Sequence, residues 1–293
     1  MITYANGNTE VTIKEDGTKI RQYEGTPQPM FPESIDIKIT NYCDLGCSYC
    51  HEQSTLQGKH GDLRSLYEVI KDLPAGVEVA LGGGNPLAHP DLVWFLLMLK
   101  DKGIIANITI NQNHLKQYYS LLEGLIKSEL VTGIGISITH NNFTYVDKIK
   151  ALTNNVVYHI IAGVHDVCII DSLISIGNDC KILVLGYKKF GRGVNYYTQS
   201  IEDNMSEWYR YISKYTGKCL LSFDNLAIEQ LSIKRLFTES GWDRFYMGDD
   251  FSFSVYIDAV EQAYSPTSRS SNRTNWSGVP LLNYFQTNRR CDV

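Results

Sequence analysis

Ser34-Ile-Asp-Ile-Lys-Ile-Thr-Asn-Tyr-Cys43-Asp-Leu-Gly-Cys47-Ser-Tyr-Cys50 is the stretch from which the rest of the chain is best read. Its first half alternates isoleucine with polar residues, the pattern of a strand. Its second half is a C-x3-C-x2-C run that starts three residues after Thr40. Three thiolates on one short loop can hold three irons of a four-iron cluster, with the fourth iron left open to a cofactor or substrate. Other readings stay open on spacing alone. A structural zinc site wants four ligands, and no second cysteine or histidine pair stands at a fitting distance. His51 follows Cys50 directly, too close to join both thiolates on one tetrahedral ion. Seven cysteines is an odd count, and loops this short would strain a disulfide. Ordinary unligated cysteines are the last alternative.

Composition narrows the class. The chain has 293 residues, 43% of them hydrophobic, enough for one α/β domain with an appendage. Its longest apolar run, residues 92–99, falls far short of the ~20 residues that cross a bilayer, and no secretion signal is apparent. A cytoplasmic protein with reduced thiols and no membrane partner is expected. The net charge is −5 with no block of lysine or arginine, so no long nucleic acid is expected as a partner.

Residues 9–24 form two alternating stretches joined by Asp16-Gly17, a hairpin signal. Residues 25–32 hold three prolines and serve as a linker. From Ile35 onward, β-branched runs at 35–40, 77–81, 104–110, 133–138, 156–162 and 181–186 alternate with helical segments near 62–72, 90–102, 114–128, 143–152 and 166–176. Consecutive strands separated by helices must run parallel. The expected fold is α/β, a partial (β/α)6 parallel barrel with an N-terminal β-hairpin and a small C-terminal α+β extension. Its site should lie at the C-terminal strand ends, just where the cysteines begin. A helix at 204–215, a seventh short strand at 219–223 and a helix at 225–237 follow, then a strand at 251–258 and an amphipathic segment at 279–289. Three units result: residues 1–32, 33–223 and 224–293, the last a possible substrate cap.

The cysteine run after a first strand, in a six-strand α/β scaffold, resembles the radical S-adenosylmethionine (radical SAM) superfamily over roughly residues 35–187. The resemblance implies that Cys43, Cys47 and Cys50 ligate a 4Fe-4S cluster and that Tyr49 lies near the adenine of S-adenosylmethionine. Leu81-Gly-Gly-Gly-Asn-Pro86 is similar to the family's Gly-Gly-Glu-Pro stretch, which binds the cofactor's amino group. It implicates Gly82, Gly83, Gly84 and Asn85 in cofactor binding, with Asn85 where a glutamate is common. Asn111 and Ser137, at the ends of the third and fourth strands, resemble contacts to the ribose or carboxylate, and Leu185 with Gly186 resembles the adenine shelf. The implied chemistry is reductive cleavage of the cofactor to a 5′-deoxyadenosyl radical that abstracts hydrogen from a substrate, with a reductant such as a flavodoxin or ferredoxin as partner.

Substrate signals are thinner. The N-terminal hairpin offers a strand edge to a peptide by β-augmentation, or else covers an open side of the barrel. A peptide or protein substrate is therefore favoured over a nucleotide or nucleobase, for which Lys188, Lys189 and Arg192 would be the phosphate contacts. No auxiliary cluster is expected in the tail. Cys168, Cys180, Cys219 or Cys291 could donate a hydrogen atom. His60, His89, His114, His140 and His165 are further candidate polar contacts. A non-catalytic metal-binding or sensing protein is the alternative of another class.

Overall fold

The computed structural model describes residues 1–177 and 180–289. Three strands, β1 (Ile2–Asn6), β2 (Thr9–Ile13) and β3 (Lys19–Tyr23), make a small antiparallel sheet in the order β1-β2-β3. The hairpin expected at 9–24 is its β2–β3 half. The sequence reading did not place β1, which pairs with β2 along its full length.

The main sheet begins with β4 (Ser34–Thr40) and continues through β5 (Glu78–Gly83), β6 (Ile105–Asn111), β7 (Gly133–Ser137), β8 (Val156–Ile161), β9 (Lys181–Leu185) and β10 (Leu220–Phe223). Each pairs in parallel with the next. Between β4 and β9 lie α1 (Leu63–Ile70), α2 (Leu92–Asp101), α3 (Leu115–Lys127), α4 (Thr144–Lys150) and α5 (Ile169–Ile174). The fold is therefore the six-unit partial parallel barrel that the rhythm of the sequence predicts.

Local chemistry sets these elements. The Asp62 carboxylate caps α1 by accepting from the Arg64 and Ser65 amides, and Leu63, Leu66, Tyr67 and Ile70 bury one face. Helix α2 buries Leu92, Phe95, Leu96 and Leu99 and ends before Gly103, whose φ of +70° few other residues adopt. In β4, Ile35, Ile37 and Ile39 are buried, while Asp36 and Lys38 face the other way, into the lumen of the barrel.

After β9 come α6 (Gly193–Tyr196) and α7 (Gln199–Tyr211), and after β10 come α8 (Asn225–Gln230) and α9 (Glu239–Phe245). The C-terminal stretch then departs from a separate extension. Strand β11 (Ser254–Asp258) pairs in parallel with β4 on the side away from β5, and β12 (Ala263–Ser265) and β13 (Thr274–Asn275) follow it antiparallel. The sheet thus holds ten strands in the order β10-β9-β8-β7-β6-β5-β4-β11-β12-β13. Helix α10 (Leu281–Asn288) packs Leu281, Tyr284 and Phe285 into the main core.

The N-terminal sheet sits at the end of the barrel where the strands start. Val11 and Ile13 pack on Ile105, Lys19 pairs with Glu78, and Arg21 donates to Glu33 at 2.8 Å. Lys181 reaches the Asp16 carbonyl. Strands of five to seven residues separate this sheet from the cysteines by roughly 20 Å. A peptide added to its edge would therefore meet the wrong end of the barrel, and the covering role is the one its contacts support. Among the described residues, no helix is long and apolar enough to cross a membrane.

Candidate active site

The loop after β4 turns the cysteines back over the barrel's C-terminal mouth. Thr40 Oγ1 accepts from the Tyr42 amide, the Cys43 amide donates to Thr55, and the Thr55 amide donates back to Asn41. These bonds close the loop on its own base. Cys43, Cys47 and Cys50 are half-buried and unbridged, and all three line one cavity of about 320 Å³. Burial, then the charges of Cys47, Asp44 and Cys50, pushes the Cys43 thiol up. Cys47 rises through burial and the Cys50 charge. Thiols held together against ionisation in this way are a donor set whose charged form a polycationic centre stabilises.

Facing them is the glycine run. The position of Gly82 is open, with nothing within 4 Å of where a Cβ would stand. Gly83 has a φ of +115°, and Gly84 packs so tightly on the cysteine loop that a Cβ would lie 2.1 Å from the Tyr42 carbonyl oxygen. Tyr49, Asn111, Ser137 and Leu185 line the same cavity from the loop and from β6, β7 and β9.

Asn85 stands apart from these residues. It is fully buried outside the lining, and its Oδ1 accepts from the Leu87 amide at 3.2 Å, capping the turn Pro86–Ala88.

The remaining candidates separate cleanly. His165 lines the cavity, whereas His89 Nε2 donates to the Gly61 carbonyl and His60 Nδ1 bonds the Thr40 hydroxyl, both bracing the loop. His114 lies 2.7 Å from Asp44 through Nε2. With Cys43 these two form a cluster of possible ligand atoms within 4.8 Å of one another, yet the short His114–Asp44 contact is already a hydrogen bond. His140 bonds Asn113 and lies outside the lining. Cys168 is exposed, Cys180 is buried in the core, and Cys219 precedes β10; none of the three lines the cavity. Cys291 lies outside the described residues.

Of the three basic residues expected near phosphate, only Lys188 reaches the lumen, where it contacts His51 at 3.3 Å and Ser268 at 3.0 Å. Lys189 stacks on Tyr197, and Arg192 hydrogen-bonds the cysteine loop.

The deeper lumen carries groups that sequence reasoning passed over. Lys38 bridges Glu52 at 2.9 Å and Asp258 at 3.1 Å. Burial works against its charge, but the two carboxylates outweigh that and hold its pKa up. Burial likewise works against the Glu52 charge, and His51 with Lys38 outweighs it, lowering Glu52 to about 2. Asp36 is enclosed by protein but open to the cavity, and that enclosure raises its carboxyl. His159 is pushed down to about 4 by burial alone. The space for its ring comes from Gly135, where a Cβ would stand 2.6 Å from His159 Cε1. Tyr256 of β11 and Ser268 close one side. The signal for Asp36 and Lys38 was present: two charges at alternate positions of a strand covered on both faces must look into a lumen.

The model of the radical SAM superfamily matches residues 37–177. Residues 37–177 are a radical SAM domain. The cofactors of this enzyme class are a 4Fe-4S cluster and S-adenosylmethionine. Among solved structures, this chain resembles SuiB of Streptococcus suis bound to S-adenosylmethionine, with a TM-score of 0.61 at 15% identity, covering 88% of this chain and 66% of SuiB. SuiB bound to its precursor peptide SuiA gives 0.59 at 16% identity, with 88% and 65% covered. At such identities the likeness speaks for the fold. In sequence, a probable GTP 3′,8-cyclase of Methanococcus maripaludis is 31% identical over 96 residues, 31% of this chain and 32% of the relative. The GTP 3′,8-cyclase of Alkaliphilus oremlandii is 32% identical over 83 residues, 26% of each chain. The matched segment thus spans about a third or less of those relatives' length.

Proposed function

We propose that the protein cleaves S-adenosylmethionine reductively at a cluster on Cys43, Cys47 and Cys50 and removes a hydrogen atom from a peptide or protein substrate. The observation that carries this reading is the meeting, in one cavity, of three thiols with an open glycine and a glycine pair packed on their loop. Bound there, cluster and cofactor would supply one-electron cleavage and hydrogen-atom abstraction. The chain's own residues do the rest. Gly82 lets the cofactor approach the main chain, Tyr49 and Leu185 offer faces to the adenine, and Asn111 and Ser137 offer polar contacts at the mouth. Tyr256 and Ser268, contributed by residues 224–293 acting as a cap, narrow access for water. A flavodoxin or ferredoxin would deliver electrons.

Charge supports a peptide over a nucleoside triphosphate. Lys38 is already neutralised by Glu52 and Asp258, and Arg192 is spent on carbonyls. Lys188 is left as the lumen cation without an ion-pair partner among the described residues, and burial pushes its pKa down. A triphosphate would face that single amine together with Asp36 and Glu52, a poor match for its charge. The fold, shared over 88% of this chain with a protein crystallised with its precursor peptide, is compatible with that reading. The partial sequence likeness to GTP 3′,8-cyclases supports a nucleotide as the second reading.

Anaerobic reconstitution followed by iron and sulfide analysis, and assay of 5′-deoxyadenosine with dithionite, tests the chemistry. Wild-type protein should bind about four irons and release the nucleoside, and Cys47→Ser should do neither. A colourless wild-type protein that takes zinc and leaves S-adenosylmethionine intact would return the metal-binding alternative.

A further inference from the structure

Arg192 stands 145 residues beyond Cys47 in the chain, in the loop between β9 and α6. Its Nε donates to the Cys47 carbonyl at 2.8 Å, and both terminal nitrogens donate to the Ser54 carbonyl at 3.1 Å. Its own amide donates to the Cys50 carbonyl at 3.1 Å. Ser54 is pinned from the other side, since its hydroxyl donates to Asn41 at 3.0 Å. The approach is built by glycine: Gly191 has a φ of +53°, and a Cβ there would fall 2.5 Å from the His51 carbonyl oxygen. The Gly193 carbonyl in turn accepts from the Tyr187 hydroxyl at 2.7 Å.

We propose that Arg192 is a positioning residue that clamps the middle of the cysteine loop to its C-terminal limb and holds Cys47 and Cys50 toward the cavity. A planar fork can serve two carbonyls on opposite limbs of a loop at once, which a lysine ammonium on a flexible stem does poorly. The loop has little regular structure of its own to fix these carbonyls, so the clamp replaces what a helix or ladder would otherwise provide. The inference goes beyond the proposed chemistry, because it concerns the loop with or without a cluster.

Amide hydrogen exchange on the metal-free full chain tests it. The reporters are the Cys43, Cys50 and Thr55 amides, all hydrogen-bonded within the loop. In Arg192→Gln their exchange should quicken about ten- to a hundredfold, with the β6 amides unchanged, and Arg192→Lys should recover little of the protection. Reconstituted Arg192→Gln should also lose iron to a chelator faster than wild type. Unchanged exchange at the three reporters would overturn the clamp. So would loss of protection across the whole sheet, which makes Arg192 a general fold contact, or full recovery in Arg192→Lys. If wild-type protein takes up no iron, the proposed chemistry fails while the exchange data still decide the clamp.

Discussion

Adding one methyl group at Gly84 and one at Gly82 should give opposite results, although the two residues are two apart in the same glycine run. At Gly84 the new Cβ would stand 2.1 Å from the Tyr42 carbonyl oxygen and 2.7 Å from its carbon, both backbone atoms. Reaching the 3.0 Å that real Cβ contacts respect requires the Asn41–Tyr42 backbone to retreat by about 0.9 Å. That retreat acts on the Asn85 amide bond to the Tyr42 carbonyl, now 2.7 Å, and on the base of the cysteine loop. Overpacking costs about 1–3 kcal/mol and a weakened backbone bond about 1 kcal/mol. Gly84→Ala should therefore lose about 2–4 kcal/mol, a fall in Tm of roughly 3–7 °C for a chain of this size. Gly82→Ala meets nothing, and its stability should stay within about 0.5 kcal/mol of wild type. Its methyl group projects into the cavity, so binding of S-adenosylmethionine by the reconstituted protein should weaken. Thermal unfolding of the metal-free variants and titration of the cofactor into the loaded ones provide both readings. Equal losses of Tm in the two variants, or wild-type cofactor affinity in Gly82→Ala, would show that the glycine run is not the cradle described.

Two further expectations concern pH and the far end of the barrel. His159 has a folded pKa of about 4 against 6.5 for the free side chain, so its share of stability is full above pH 6.5 and declines as pH drops toward 4. Glu52, at about 2 against 4.5, contributes fully above pH 4.5 and loses that contribution as pH falls toward 2. Urea unfolding across pH 2–8 should show both segments, with His159→Asn flattening the upper one and Glu52→Gln the lower; unchanged profiles would place these groups in water. Ile13→Ala should cost about 2 kcal/mol by emptying the small core it shares with Val11 and Ile105. The absorbance of the reconstituted cluster should not change, and a change would contradict the placement of the N-terminal sheet opposite the cysteines.

What could be read in advance follows from what each signal depends on. The six strand–helix units were legible because Ile, Val and Leu recur at local spacings, as in α2, where Leu92, Phe95, Leu96 and Leu99 mark one face. The cysteine loop and the glycine run were legible because their chemistry sits within a few residues. The place of β11 was not, since pairing of Val255 with Ile35 joins residues 220 apart with no local trace. The same holds for Arg192, which reads as a basic loop residue until the fold brings it to Cys47. For Asn85 the resemblance implies a cofactor contact, while the bond by which it caps the Pro86–Ala88 turn emerges only from the structure. The charge pair Asp36 and Lys38 was visible as alternation, but its meaning depended on knowing that both faces of β4 are covered.

The parallel pairing of β11 with β4 bears on how the molecule is made. At ~5–20 residues per second, roughly 10–40 s separate the emergence of β4 from the ribosome and that of β11, whose closest neighbour it is on that side. During that interval the first strand of the barrel has an uncovered flank, and the Lys38 amine waits for Asp258. The cysteines of the nascent chain thus emerge well before their pocket can close. Loading of the thiols is expected to come after translation, on a nearly finished polypeptide.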